Sequence, residues 1–136
     1  MIGLIIVTHA GLATELLNAA EMIVGPFSYV RCHAIDRGVD LETTHALLQD
    51  SIHEVDACGD GVLIMTDMFG GTPSNVSARF LQKDLVEVIN GVNLPMLIKF
   101  SSSRSSMGLT VLANFLKKYG QKSIVLTGDI FSGSEG

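Results

Sequence analysis

Basic residues are scarce in this chain: nine Lys and Arg stand against fourteen Asp and Glu among 136 residues, a formal charge of −5. No basic stripe interleaves with aromatic residues, which argues against nucleic acid or an anionic membrane surface as a partner and leaves a protein or a small molecule. Long apolar runs are missing too. The longest reach about seven residues, short of the roughly 20 that a membrane span needs. The first residues carry neither the basic flank nor the small-residue cleavage site of a signal peptide. These absences predict a cytoplasmic protein with no membrane-inserted segment. Cysteine is nearly absent: Cys32 and Cys58 lack CxxC spacing and read as ordinary buried or half-buried thiols. His33, His45 and His53 form no HxxxH pair, so neither a metal nor another cofactor is expected. The GxGxxG turn of a dinucleotide site is also lacking, since residues 8–13 read THAGLA.

Hydrophobic residues make up 47% of the chain, enough for one compact domain with a proper core, placed at residues 1–130 and followed by a frayed polar tail at 131–136. Strand-like and helix-like patterns alternate. IGLIIVT (2–8) is a continuous apolar run, as in a parallel strand covered on both faces. A helix over 12–24 follows, with Leu12, Leu16, Ala19, Ala20 and Ile23 on one face and Gly25 and Pro26 ending it. YVRCHAI (29–35) reads as a strand, and 40–55 as a helix capped by Asp40 with Leu41, Leu48, Ile52 and Val55 inward. GVLIMTD (61–67) and LVEVING (85–91) are strands flanking a short helix that Thr72 caps and Pro73 opens. Pro95 opens a further helix or loop, SSSRSS (101–106) reads as loop and helix cap, and 107–119 is a helix with Leu109, Leu112, Ala113 and Leu116 on one face, stopped by Gly120. SIVLT (123–127) reads as a final strand. The fold class is therefore α/β: a doubly wound, mostly parallel open sheet with helices on both faces.

Ligands of such sheets sit beyond the carboxyl ends of the strands, near the switch in strand order. His9 leaves the first strand and Asp67 ends the third, so both belong to that edge. A carboxylate accepting from one imidazole nitrogen fixes the tautomer and leaves the other nitrogen's lone pair for a phosphoryl group. The turn after Asp67 contains Gly70, Gly71 and Thr72, which present backbone N–H groups at a helix start, the setting in which phosphate is commonly held. Together these make a nucleophile, an orienting group and a charge stabiliser. Phosphoryl transfer asks mainly for positioning and electrostatics, so the set is chemically sufficient, with phosphohistidine as its product. Met68 and Phe69, apolar residues in the same turn, are either core residues or rim anchors for a docking protein.

Three segments, IVTHAGLATELLNAAEMIVG, GVLIMTDMFGGTPSN and VINGVNLPMLI, resemble the hallmark segments of the enzyme IIA domain of the mannose family of the bacterial sugar phosphotransferase system. The resemblance implies a phosphotransferase that takes a phosphoryl group from the histidine-containing phosphocarrier protein on His9 and passes it to an enzyme IIB protein, here on a separate chain. It maps the orienting carboxylate on Asp67 and the hydroxyl at the helix start on Thr72, and it implies a homodimer in which the last strand, matched by SIVLT, is exchanged between subunits. Two positions depart from the pattern: Ala10 stands where a glycine is usual, and Lys99 where an acidic residue is frequent. A regulatory phosphorelay of the same fold, uncoupled from transport, is the alternative.

Overall fold

The computed structural model describes residues 1–132; the end of the tail expected at 131–136 lies outside the described residues. Strand β1 (Gly3–His9) leads into helix α1 (Leu12–Val24), β2 (Val30–Ile35), α2 (Leu41–Val55), β3 (Val62–Thr66), α3 (Thr72–Ala78) and β4 (Val86–Asn90); α4 (Leu94–Ser103), α5 (Leu109–Lys122) and a short α6 (Thr127–Phe131) follow. The four strands form one sheet in the order β2-β1-β3-β4, every pair parallel. The chain moves from β1 outward to β2, then crosses to β3 on β1's other side. β1 and β3 therefore flank the switch point, as the α/β reading requires.

Both faces of the sheet are covered. Leu4, Ile6, Leu63 and Met65 point to a core shared with α1, α4 and α5, including Ala13, Phe100, Leu112 and Leu116. Ile5, Val7, Val62 and Ile64 point the other way, to Leu48 and Val55 of α2 and Val76 of α3. This is why β1 and β3 read as unbroken apolar runs, whereas the edge strand β2 is mixed.

The cap at Asp40 is as expected: it accepts from the Glu42 N–H at 3.3 Å and the Thr43 hydroxyl at 2.6 Å. Asn93, not singled out in the sequence, caps α4 by accepting from the Met96 N–H at 3.0 Å.

Several expectations are corrected. In α1 the buried face is Ala13 and Ala20, with Leu16 and Leu17 half-buried, while Leu12 and Ile23 lie exposed. The helix carries large apolar residues around most of its circumference, so their spacing leaves its rotation open, and the two alanines permit the closest approach to the sheet. Leu41 is likewise exposed, because the inward stripe of α2 runs through Thr44, Leu48, Ser51 and Val55. Gly120 does not stop α5, which continues to Lys122: a Cβ there would lie 2.6 Å from the Met96 methyl, so this glycine lets α5 press against α4. Ser101 to Ser103 belong to the last turn of α4, and Gly108 rather than a serine caps α5. SIVLT is not a strand within this chain. Ser123 closes α5, residues 124–126 form neither helix nor strand, and Thr127 opens α6. Cys32 is half-buried as expected, and desolvation and the nearby Glu21 carboxylate push its thiol up to about 11; Cys58 is exposed instead.

Two basic residues serve packing. Arg104 is 5% exposed and donates to the carbonyls of Ile2, at 3.0 and 2.7 Å, Ser28, at 2.8 Å, and Tyr29, at 3.3 Å. It ties the amino-terminal ends of β1 and β2 to the end of α4, and it lies at the sheet edge opposite His9. The Lys99 ammonium sits 5.9 and 5.2 Å from the ring centres of Phe115 and Tyr119, a cation–π contact between α4 and α5.

Candidate functional site

The carboxyl ends of β1 and β3 bring His9 and Asp67 together. One oxygen of Asp67, Oδ2, accepts from the His9 backbone N–H at 3.0 Å and lies 2.9 Å from His9 Nδ1. The other, Oδ1, accepts from the Met68 N–H at 3.1 Å. An ionised carboxylate can only accept, so Nδ1 carries the proton and Nε2 the lone pair. Partial burial pushes the Asp67 carboxyl up, but the hydrogen bonds from the His9 ring and backbone and the ring's charge outweigh it, holding the group below the usual carboxylate value of 3.8. The carboxylate is therefore ionised at neutral pH. His9 is half exposed (49% of its side chain) against 14% for Asp67, so the imidazole is open to solvent while its orienting group is sheltered.

The strand ends are fastened by two fully buried threonines that sequence reasoning missed. Thr8 Oγ1 accepts from the Ala13 N–H at 2.7 Å, tying the start of α1 to the residue before His9. Thr66 Oγ1 donates toward Asn90 Oδ1 at 2.6 Å and the Met68 carbonyl at 3.3 Å, tying the turn after Asp67 to β4. Their signal was present: a hydroxyl at the carboxyl end of an otherwise apolar run, where only a hydrogen-bond partner makes its burial tolerable.

Gly71 caps α3, since its carbonyl accepts from the Asn75 N–H at 3.0 Å; Thr72 is the first helical residue and Pro73 the second, one position later than the sequence pattern suggested. The shift is physical. A Cβ on Gly71 would stand 2.8 Å from Cε1 and 3.2 Å from Nε2 of His9, so the cap must be a glycine for the imidazole to lie against it. Gly70 turns the chain with φ 91°. Met68 and Phe69 are 55% and 81% exposed and so are not core residues. Ala10 adopts φ 49°, a left-handed conformation that favours glycine, with its N–H donating to the Ile35 carbonyl at 3.1 Å. That conformation suits the glycine that the resemblance puts at this position.

A cleft of about 570 Å³ opens beside the histidine, lined by His9, Ala10, Asp36, Arg37, Leu41 and Thr72 among others. Arg37 was not foreseen; the Asp-Arg-Gly turn directly after a strand was the available signal.

This geometry coincides with a family match. The model described as "PTS system fructose IIA component" matches residues 3–117, which include both ends of the His9–Asp67 pair. The chain belongs to this family. It is 31% identical over 124 residues to the fructose-specific EIIA component of Bacillus subtilis, covering 90% of this chain and 84% of that protein. To the mannose-specific EIIAB component of Escherichia coli K12 it is 35% identical over 104 residues, 76% of this chain but 32% of that longer protein. Among solved structures, the PTS IIA protein associated with the fucose utilization operon from Streptococcus pneumoniae superposes with a TM-score of 0.83 at 26% identity, covering 95% of each chain. The chain is thus an EIIA component of the sugar phosphotransferase system, a phosphotransfer component by family. Among the described residues, no helix is long and apolar enough to cross a membrane.

Proposed function

We propose that this EIIA component accepts a phosphoryl group on His9 Nε2 from the histidine-containing phosphocarrier protein and passes it to an enzyme IIB protein. The observation that carries this reading is the 2.9 Å contact between His9 Nδ1 and Asp67, which leaves Nε2 as the free nucleophile on a half-exposed ring. In the transfer, the Nε2 lone pair attacks phosphorus as the donor's P–N bond breaks, and that bond's electron pair returns to the donor's ring nitrogen. The Nδ1 proton stays in place. The phosphorylated ring is then an imidazolium whose charge the Asp67 carboxylate balances, and transfer to the next protein runs the same step in reverse. In this reading the backbone around Gly70 and Gly71 and the Thr72 hydroxyl receive the phosphoryl oxygens, and the exposed Met68 and Phe69 dock the partner proteins.

The same reading makes the chain a cytoplasmic homodimer. Ile124, Val125 and Leu126 are 79%, 59% and 70% exposed, an apolar run that the described residues leave uncovered. Among the described residues the only strand beside β4 is β3, and a groove of about 490 Å³ runs along β4 and α5, lined by Val88, Asn90 and Ala113 and reaching Ile124. Residues 124–126 of a second subunit, added to that edge as the exchanged strand, would cover both surfaces. Truncation after Lys122 should then give a monomer by light scattering.

The phosphoryl assignment is tested by incubating the protein and His9→Ala with phosphoenolpyruvate, enzyme I and the phosphocarrier protein. Intact mass should show one acid-labile phosphoryl group on the parent and none on the variant. Undiminished labelling of His9→Ala would refute the site.

A further inference from the structure

We propose that Arg37 is a catalytic residue of this phosphotransfer site, its guanidinium contacting the phosphoryl group carried on His9; this rests on the phosphohistidine reading above. The backbone brings the two residues to one edge of the sheet. His9 and Ile35 are register partners at the ends of β1 and β2, and the Ala10 N–H donates to the Ile35 carbonyl at 3.1 Å, so the parallel pairing runs to the very edge of the sheet. Arg37 stands two residues beyond Ile35. There the chain does not run on into solvent: the Val39 N–H returns to the Asp36 carbonyl at 3.3 Å, and Gly38 takes φ 73°, so residues 36–39 make a tight turn with Arg37 at its second position. The turn leaves Arg37 lining the same cleft as His9 and Thr72.

Charge supports the assignment. Among the described residues lining that cleft, Arg37 is the one lysine or arginine. Asp36 lines it too, yet among the described residues no carboxylate lies within ion-pair distance of Arg37. The other two arginines whose contacts are described are engaged, Arg31 with Glu54 at 2.8 Å and Arg104 with backbone carbonyls. A guanidinium without a partner among the described residues, lining the same cleft as a nucleophilic imidazole, suits an incoming dianion, because its planar fork matches two phosphoryl oxygens at once. The bond changes are those given above. Arg37 adds no proton and removes none; it offsets negative charge on the equatorial oxygens as they pass from donor to acceptor nitrogen.

The test compares the parent, Arg37→Gln and Arg37→Lys with two phosphoryl donors: the phosphorylated phosphocarrier protein, and phosphoramidate, a small molecule that presents no protein surface. The readout is the rate at which phosphoryl appears on the peptide containing His9. Arg37→Gln should be about tenfold slower than the parent with both donors, as expected for a solvated charge-assisted hydrogen bond, and Arg37→Lys should fall between them. Equal rates for all three proteins would overturn the assignment. So would a loss confined to the protein donor, which would make Arg37 a contact for a partner's carboxylate instead. If the parent takes no phosphoryl group from the phosphocarrier protein, the proposed donor is wrong, and the phosphoramidate comparison still decides Arg37 by the same criteria. A parent that stays unlabelled at His9 with both donors would overturn both readings.

Discussion

A methyl group on Gly71 would stand 2.8 Å from Cε1 of His9. The backbone of Gly71 itself has φ −88°, which any residue adopts, so space and not conformation demands a glycine. Gly71→Ala should therefore move the imidazole while leaving the fold alone. Because the His9 ring is half exposed it can swing toward solvent, so the change in unfolding free energy should stay within about 1 kcal/mol. Phosphoryl acceptance should fall by roughly 10²-fold, since the ring loses its alignment with Asp67. Paired urea unfolding and phosphorylation rates would separate the two effects.

Asp67→Asn keeps the shape of the orienting group and removes its charge. An amide can present its NH2 to Nδ1 and so favour the wrong tautomer, and phosphorylation should slow by about 10²-fold or more without vanishing, because the nucleophile remains. Stability carries a matching signature. The folded-state carboxyl lies below its ordinary value of 3.8, so the unfolded chain binds the proton more readily. Its contribution is then fully present above about pH 4 and is lost as the pH falls through the lower, folded value. The parent's stability advantage over Asp67→Asn should shrink as the pH falls from about 5 to 3, as read from urea midpoints in the two proteins.

Ala10 holds a left-handed φ of 49° with its N–H engaged by Ile35. Ala10→Gly should relieve that strain and stabilise the protein by up to about 1 kcal/mol, less whatever the greater freedom of the unfolded glycine offsets. Thermal unfolding at fixed pH would register it as a raised Tm. A lowered Tm would mean that the alanine methyl makes a compensating contact.

Arg104 satisfies the carbonyls of Ile2, Ser28 and Tyr29 from a buried position. Arg104→Met should cost about 3 kcal/mol by leaving those acceptors without a donor. Arg104→Lys should recover only part of this, since an ammonium lacks the fork that reaches several carbonyls. Neither variant should alter the phosphorylation rate of the folded protein, because Arg104 sits at the opposite end of the sheet. Denaturant midpoints and phosphorylation under native conditions would test both halves of the statement.

The apolar runs of β1 and β3, the cap at Asp40 and the stripe Leu109, Leu112, Ala113 and Leu116 were legible in the sequence, because each is a local pattern matched to the repeat of its element. The site was partly legible for the same reason. A histidine and an aspartate at the ends of buried parallel strands must emerge on one edge. Thr66 and Arg37 escaped because each gains its meaning from a neighbour far along the chain or across a strand pair: Thr66 from Asn90, Arg37 from the pairing of Ile35 with His9. The expectation that 123–127 forms a strand was drawn from β-branched residues alone, yet a strand exists only where a ladder partner is in reach, and α5 runs on past Gly120 to Lys122.

By itself, then, the sequence determined the alternation of strands and helices, the burial of the central strands and the delivery of His9 and Asp67 to the same edge, since all three follow from the spacing of apolar residues along the chain. Only the tertiary structure decided the order β2-β1-β3-β4, the rotation of α1 that buries Ala13 and Ala20 but exposes Leu12 and Ile23, the single Asp67 oxygen that grips both the ring and the backbone of His9, and the close approach that makes Gly71 obligatory. Each of these depends on which surfaces meet, and a one-dimensional period records how far apart residues of one kind lie without recording what they face.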